Sequence, residues 1–164
     1  MVILGIDPGY GTVGYGVIEK LGAKIVALDY GVIQTCKEDC FAKRLSHIDR
    51  GIRALIERFH PDEAAIEQLF FAKNVTTGLQ VAEARGVIEL AIYQQSVPLF
   101  QYKPNEIKLA ITGWGKAEKR QMQEMVKTHL SLSKIPRPDD AADALAVALC
   151  HAHTNRFTGS FRIG

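Results

Sequence analysis

The sequence predicts an α/β domain built on a five-stranded mixed sheet with helices on both faces. Three observations point there. Residues 3–35 hold three strand-like runs joined by short turns. Residues 41–59 switch to apolar spacings of three and four. Two further short apolar runs follow, each reached through a helical segment. Strands joined by short turns pair antiparallel, whereas strands joined through a crossover helix run parallel and right-handed. The first strand then lies centrally, beside the fourth.

Residues 3–7 read as a short buried strand ending on a carboxylate, and Pro8-Gly9-Tyr10-Gly11 supplies turn chemistry. Residues 13–19 form the second strand and Lys20-Leu21-Gly22-Ala23 the turn. Residues 24–30 form the third, with 31–35 continuing or flanking it. Phe41, Leu45, Ile48, Ile52, Leu55, Ile56 and Phe59 mark an amphipathic helix that His60-Pro61-Asp62 stops. Residues 64–67 are a buried strand, again closed by a carboxylate. A helix is expected over 74–95, with Asn74 as its N-cap, followed by a strand over 97–102. Pro104 suits the first turn of a short helix over 104–112. Gly113-Trp114-Gly115 is a loop, and 118–130 is helical with Met122, Met125, Val126 and Leu130 inward. A stiff connector over 135–138 leads to a last helix over 139–154, rich in Ala and Leu. Residues 1–154 thus read as one domain and 155–164 as a flexible tail.

Composition narrows the function classes. The chain has 164 residues, 47% hydrophobic and 23% charged, which is enough for a core without staples. No apolar run approaches the roughly 20 residues that cross a membrane, and the first residues lack the pattern of a secretion signal. A cytoplasmic location is expected, with no membrane partner. Cys36, Cys40 and Cys150 form no C-x-x-C pair and are expected as free thiols. Cys150 stands beside His151 and His153, but no second ligand pair supports a zinc site. The net charge of +2 neither demands nor excludes nucleic acid. Basic residues do gather between Lys103 and Lys134, as a solvated helix face or a phosphate-contacting one.

The chemistry is carried by acids. Ligands of open α/β sheets collect at the carboxyl ends of strands, where Asp7 and Glu67 stand in place of an apolar residue. Asp140 and Asp143 are three apart on the last helix and share a face. A helix dipole gives Asp139 and Asp140 a purely structural reason to be there. Asp143, a full turn in among Ala and Leu, has none, and a lone buried Asp is costly unless paired or cation-bound. Four converging carboxylates repel unless a hard divalent cation joins them, Mg²⁺ or Mn²⁺. Two such ions about 4 Å apart suit phosphodiester hydrolysis.

Gly5-Ile6-Asp7-Pro8-Gly9, Ile66-Glu67-Gln68 followed by Phe70 and Ala72-Lys73-Asn74, Gly115-x-Ala117-Glu118-Lys119 and Asp140-Ala141-Ala142-Asp143-Ala144-Leu145-Ala146 occur in this order. From residue 1 to about His153 the chain resembles the RuvC family of bacterial four-way-junction endonucleases. The resemblance implies a ribonuclease H-like fold, a homodimer, and Asp7, Glu67, Asp140 and Asp143 as the metal-binding acids. Some relatives carry histidine at the position of Asp140, so this is an all-carboxylate version. It also implies lysines near the scissile phosphate at Lys108 and Lys119. Branch-migration proteins of the RuvA and RuvB type would be partners. Phe70 and Phe71 cannot both face the core of a regular element, so one is expected to stack on an unpaired base. The resemblance points to Phe70, and physics alone does not rank the pair. Lys73, Lys116 and Arg120 are expected backbone contacts or solvated charges. Trp114 either stacks on DNA or covers the core. Small residues Ala82 and Gly86 suggest the helix over 74–95 as the dimer contact, with packing on the sheet as the alternative.

Three other readings are weaker. An actin-like or sugar-kinase fold shares the opening strand, Asp and glycines but needs a second nucleotide-binding domain. A related nuclease acting on RNA or other branched nucleic acid would share the acids. A non-catalytic junction binder would keep four acids whose repulsion serves nothing.

Overall fold

The computed structural model describes residues 1–69, 75–154 and 162–164. β1 (Val2–Asp7), β2 (Thr12–Leu21) and β3 (Lys24–Gln34) form an antiparallel meander. The chain passes through α1 (Phe41–Phe59) to β4 (Glu63–Glu67), which pairs parallel with β1. It passes through α2 (Val75–Gln94) to β5 (Leu99–Tyr102), which pairs parallel with β4. α3 (Pro104–Thr112), α4 (Lys119–His129) and α5 (Asp139–His153) follow. The strand order β3-β2-β1-β4-β5 is the mixed five-stranded sheet expected, with β1 central, and the fold is ribonuclease H-like.

Several boundaries differ from the sequence reading for local reasons. β2 and β3 pair as far as Leu21↔Lys24, so the turn shrinks to Gly22 and Ala23, with Gly22 at φ 64°. Residues 31–34 continue β3 rather than flank it. β5 begins at Leu99, because Pro98 has no N–H to give the ladder. Asn74 lies outside the described residues, as do 155–161. Of the tail expected over 155–164, residues 162–164 are described. Ile163 donates its N–H to the Leu99 carbonyl at 2.9 Å, and Leu99 donates to the Gly164 carbonyl at 3.2 Å. These bonds occupy backbone groups that the edge strand β5 would otherwise leave unpaired.

The period-two alternation of the strands sorts the core into two layers. Leu4 and Ile6 of β1 and Ala64 and Ile66 of β4 pack with Ile48 and Ile52 of α1 and Ile88 and Ile92 of α2. Ile3 and Ala65 face the opposite layer, against Ile107 of α3, Met122 and Val126 of α4, and Leu145 and Leu149 of α5. By the same alternation Asp7 and Glu67 face α5. α5 is buried from Ala141 to Ala152 except at Asp143. It lies so close to the sheet that a Cβ at Gly5 would stand 2.3 Å from the Ala144 carbonyl oxygen. Among the described residues no helix is long and apolar enough to cross a membrane.

Candidate active site

β1 and β4 run parallel with Ile6 beside Ile66, so their last residues, Asp7 and Glu67, close adjacent strands at the same end of the sheet. Across β1, Asp7 pairs with Gly14 of β2. A Cβ at Gly14 would lie 2.1 Å from the Asp140 carbonyl oxygen, so the missing side chain lets the first turn of α5 rest on the sheet. That contact brings Asp140, and Asp143 one turn later, over Asp7. α3 and α4 supply the opposite wall. A cleft of about 260 Å³ results, lined by Glu67, Pro104, Ile107, Lys108, Lys119, Met122, Asp143 and Ala146.

The acids act on one another. The Asp7 carboxyl is pushed up to about 8, first by burial and then by the charges of Glu67, Asp143 and Asp140, with Lys119 opposing. Glu67 is raised to about 7 by burial and by Asp143, with Lys108 opposing. Burial also raises Asp143, against the pull of Lys119. Desolvation alone would lower Lys119, but its bonds to Asp139 and the Asp143 charge raise it instead. Its ammonium lies 3.4 Å from Asp143 Oδ2 and 3.2 Å from Asp139 Oδ2. Of the six residues predicted for the chemistry, Glu67, Asp143, Lys108 and Lys119 line the cleft, and Asp7 lies within reach of the charges of Glu67, Asp143, Asp140 and Lys119.

The donor set fits a hard divalent cation. All four acids are oxygen donors, and burial and mutual repulsion raise Asp7 and Glu67 to about 8 and about 7 by more than Lys119 and Lys108 offset. Among the described residues no three acids converge closely enough to hold an ion as placed.

The remaining predicted residues divide. Phe70, Phe71 and Lys73 lie outside the described residues. Lys116 and Arg120 are exposed. Arg120 lines a second cleft of about 560 Å³ with Thr112, Trp114, Glu118, Gln121, Glu124 and Met125, not the acid cleft. Trp114 does not cover the core, for it is 55% exposed. Its loop is braced by the Thr112 hydroxyl, which donates to the Trp114 carbonyl at 3.0 Å and accepts from its N–H at 3.1 Å.

Two arrangements had no local signal in the sequence. Arg44 of α1 clamps the turn that follows Asp7. Its Nε donates to Thr35 Oγ1 at 3.0 Å, an Nη donates to the Tyr10 carbonyl at 3.2 Å, and its guanidinium lies 4.9 Å from the Tyr10 ring centre. The Thr35 hydroxyl donates to the same carbonyl at 2.7 Å. His151 is buried between Tyr102, 2.7 Å from Nδ1, and Glu63, 2.7 Å from Nε2. Burial pushes the neighbouring Cys150 thiol up to about 12.

A family model described as crossover junction endodeoxyribonuclease RuvC matches residues 3–151. The enzyme of that name from Petrotoga mobilis is 56% identical over 156 residues, covering 95% of this chain and 96% of its own. Thermus thermophilus RuvC, solved in complex with a Holliday junction substrate, superposes with a TM-score of 0.88 at 35% identity over 93% of each chain. The yeast mitochondrial Holliday junction resolvase shares the fold, with a TM-score of 0.70 at 16% identity over 92% of this chain and 77% of its own.

Proposed function

The chain belongs to the RuvC family of crossover junction endodeoxyribonucleases, and from that premise we propose that it resolves four-way (Holliday) DNA junctions by paired symmetric nicks, in recombination and repair. The observation that carries the reading is one cleft lined by Glu67, Asp143, Lys108 and Lys119, with Asp7 and Asp140 close enough for their charges to bear on one another. An anionic phosphodiester entering this cleft meets both ammonium groups, which offset the acids and hold the scissile phosphate. Mg²⁺, with Mn²⁺ as a substitute and two ions per site, would supply the positive charge that favours attack by water and departure of the leaving oxygen. In-line attack forms the new P–O bond as the bond to the 3′ oxygen breaks. The products are a 5′-phosphate and a 3′-hydroxyl. Asp7, Glu67, Asp140 and Asp143 would hold the ions, and the partial burial of Asp7 and Glu67 would limit competition from bulk water. Phe70 or Phe71 stacks on an unpaired base at the junction, and Lys73, Lys116 and Arg120 contact its arms.

Two matched nicks on a two-fold substrate call for two sites related by two-fold symmetry. We place the second copy against α2. Its inner face packs Ala84, Ile88 and Ile92 into the core, while Leu79, Leu90 and Tyr93 are 57%, 54% and 70% exposed along the outer face. Gly86 lies between them with open space at its Cβ. RuvA- and RuvB-type branch-migration proteins would present the junction, in the cytoplasm.

An end-labelled four-way junction and a linear duplex of the same sequence, each in Mg²⁺ and in EDTA, test the reading, with Asp7→Asn alongside. Symmetric nicks in the junction alone, lost in EDTA and in the variant, are expected. Equal cutting of duplex or RNA would keep the metal site and change the substrate. Binding without cutting would remove the catalytic role of the four acids.

A further inference from the structure

Lys119 is shared. Its ammonium bridges Asp143, an acid of the proposed metal site, and Asp139, which is not one. Asp139 is itself held from two other sides. Arg137 donates to its Oδ1, and the side chain of buried Gln123 on α4 bonds to it. Its position as the first residue of α5 places it at a positive helix end, which suits its charge but explains none of these contacts.

The two partners cannot serve Lys119 equally once the site works. An ion held by Asp143 would draw on the carboxylate that Lys119 now uses, and would weaken one of the two anchors of a long side chain that is 56% exposed. A lysine with no anchor samples many rotamers, and holding it where a phosphate oxygen arrives has an entropic cost. Asp139 stays. Arg137 and Gln123 hold its carboxylate from the sides that Lys119 does not occupy.

We propose that Asp139 is a positioning residue for the nuclease reaction, the standing partner that keeps Lys119 at the mouth of the cleft when Asp143 engages the metal. This rests on the junction-resolving reading and concerns a residue that neither holds the ion nor touches the reacting atoms. It acts only through Lys119. Its effect should therefore fall on the chemical step and vanish when Lys119 is gone.

A double-mutant cycle tests this, with single-turnover junction cleavage measured for wild type, Asp139→Asn, Lys119→Met and the combination. Asp139→Asn is expected to slow cleavage about tenfold in the wild-type background and by less than about twofold in the Lys119→Met background. Asp139→Glu should recover most of the rate. Junction affinity in EDTA and Ca²⁺ affinity by calorimetry should stay within about twofold of wild type, since neither uses the bridge. A structural role at the start of α5 would lower the unfolding temperature and slow both backgrounds alike, and that additivity overturns the proposal. A rate rise in Asp139→Asn overturns it too, by showing that Asp139 restrains Lys119 from the phosphate. A tenfold fall in Ca²⁺ affinity would make Asp139 a ligand and overturn it as well. Wild type that fails to cut the junction removes the parent reading and this one together, whereas wild type that cuts beside an Asp139→Asn that cuts equally removes only this one.

Discussion

Gly14→Ala is the substitution whose consequence the structure predicts most sharply. The added Cβ would lie 2.1 Å from the Asp140 carbonyl oxygen and 2.6 Å from its carbon, and both atoms are backbone. No rotamer change relieves that contact. To reach even 3.0 Å, the first turn of α5 must move away from the sheet by about 0.9 Å or more. Asp140 moves with it, and Asp143 follows on the same rigid helix, while Asp7 stays on β1. Overpacking of this kind costs about 1–3 kcal/mol. For a domain of this size that lowers the unfolding temperature by roughly 2–12 °C. The catalytic effect should be larger in proportion, because a misplacement near 1 Å can cost about 10²-fold. The assay is single-turnover cleavage of a four-way junction in Mg²⁺, run well below the variant's melting temperature. Gly31→Ala serves as the comparison. Its Cβ meets the Tyr15 ring at 2.9–3.1 Å, a side chain that can swing aside, so cleavage should stay within about threefold of wild type. A folded Gly14→Ala protein that cuts at the wild-type rate would refute the reasoning, since the seating of α5 on β2 would then not set the carboxylate geometry.

The acids also carry a pH signature. Asp7 and Glu67 are raised to about 8 and about 7 in the fold, so the folded protein keeps protons that the unfolded chain releases above about pH 4. Their contribution to stability is therefore greatest below that pH and is lost as pH rises through about 7–8. In EDTA the urea midpoint should be lower at pH 8 than at pH 5, with a flatter profile in Asp7→Asn, and equal wild-type midpoints would contradict the raised values. His151→Ala strips Tyr102 and Glu63 of a buried partner and should cost about 2–4 kcal/mol in urea unfolding. Eight residues along α5, about 12 Å, separate it from Asp143, so cleavage at a permissive temperature should change less than about threefold, and a larger loss would tie this network to the site. Leu90→Glu puts a charge on the exposed apolar face of α2 and should yield monomers in sedimentation that bind junction weakly and nick one strand at a time. An unchanged dimer would move the interface elsewhere.

What the sequence made legible and what it hid differ by the range of the signal. Asp7 and Glu67 are readable because each ends an apolar run in which an acid has no local purpose. Asp143 is readable because it breaks the Ala and Leu pattern of a buried helix. These are conflicts between a residue and its neighbours, and a sequence displays them directly. The clamp of Arg44 on Tyr10 spans 34 positions and the Tyr102–His151–Glu63 network up to 88, with no periodicity to connect the partners. Asp139 shows the same divide. Its place at a helix start gives it a sufficient local reason, which concealed a bridge to Lys119 on another helix. Gly5 and Gly14 are the instructive case. In a strand pattern each looks like a weak position, since glycine gives up side-chain packing and is costly to order. In the fold each is a contact, because the backbone of α5 occupies the space that a Cβ would take. A glycine inside a strand of a packed sheet therefore points to a close backbone approach. Here the approaching element is α5, the helix that brings Asp140 and Asp143 over Asp7.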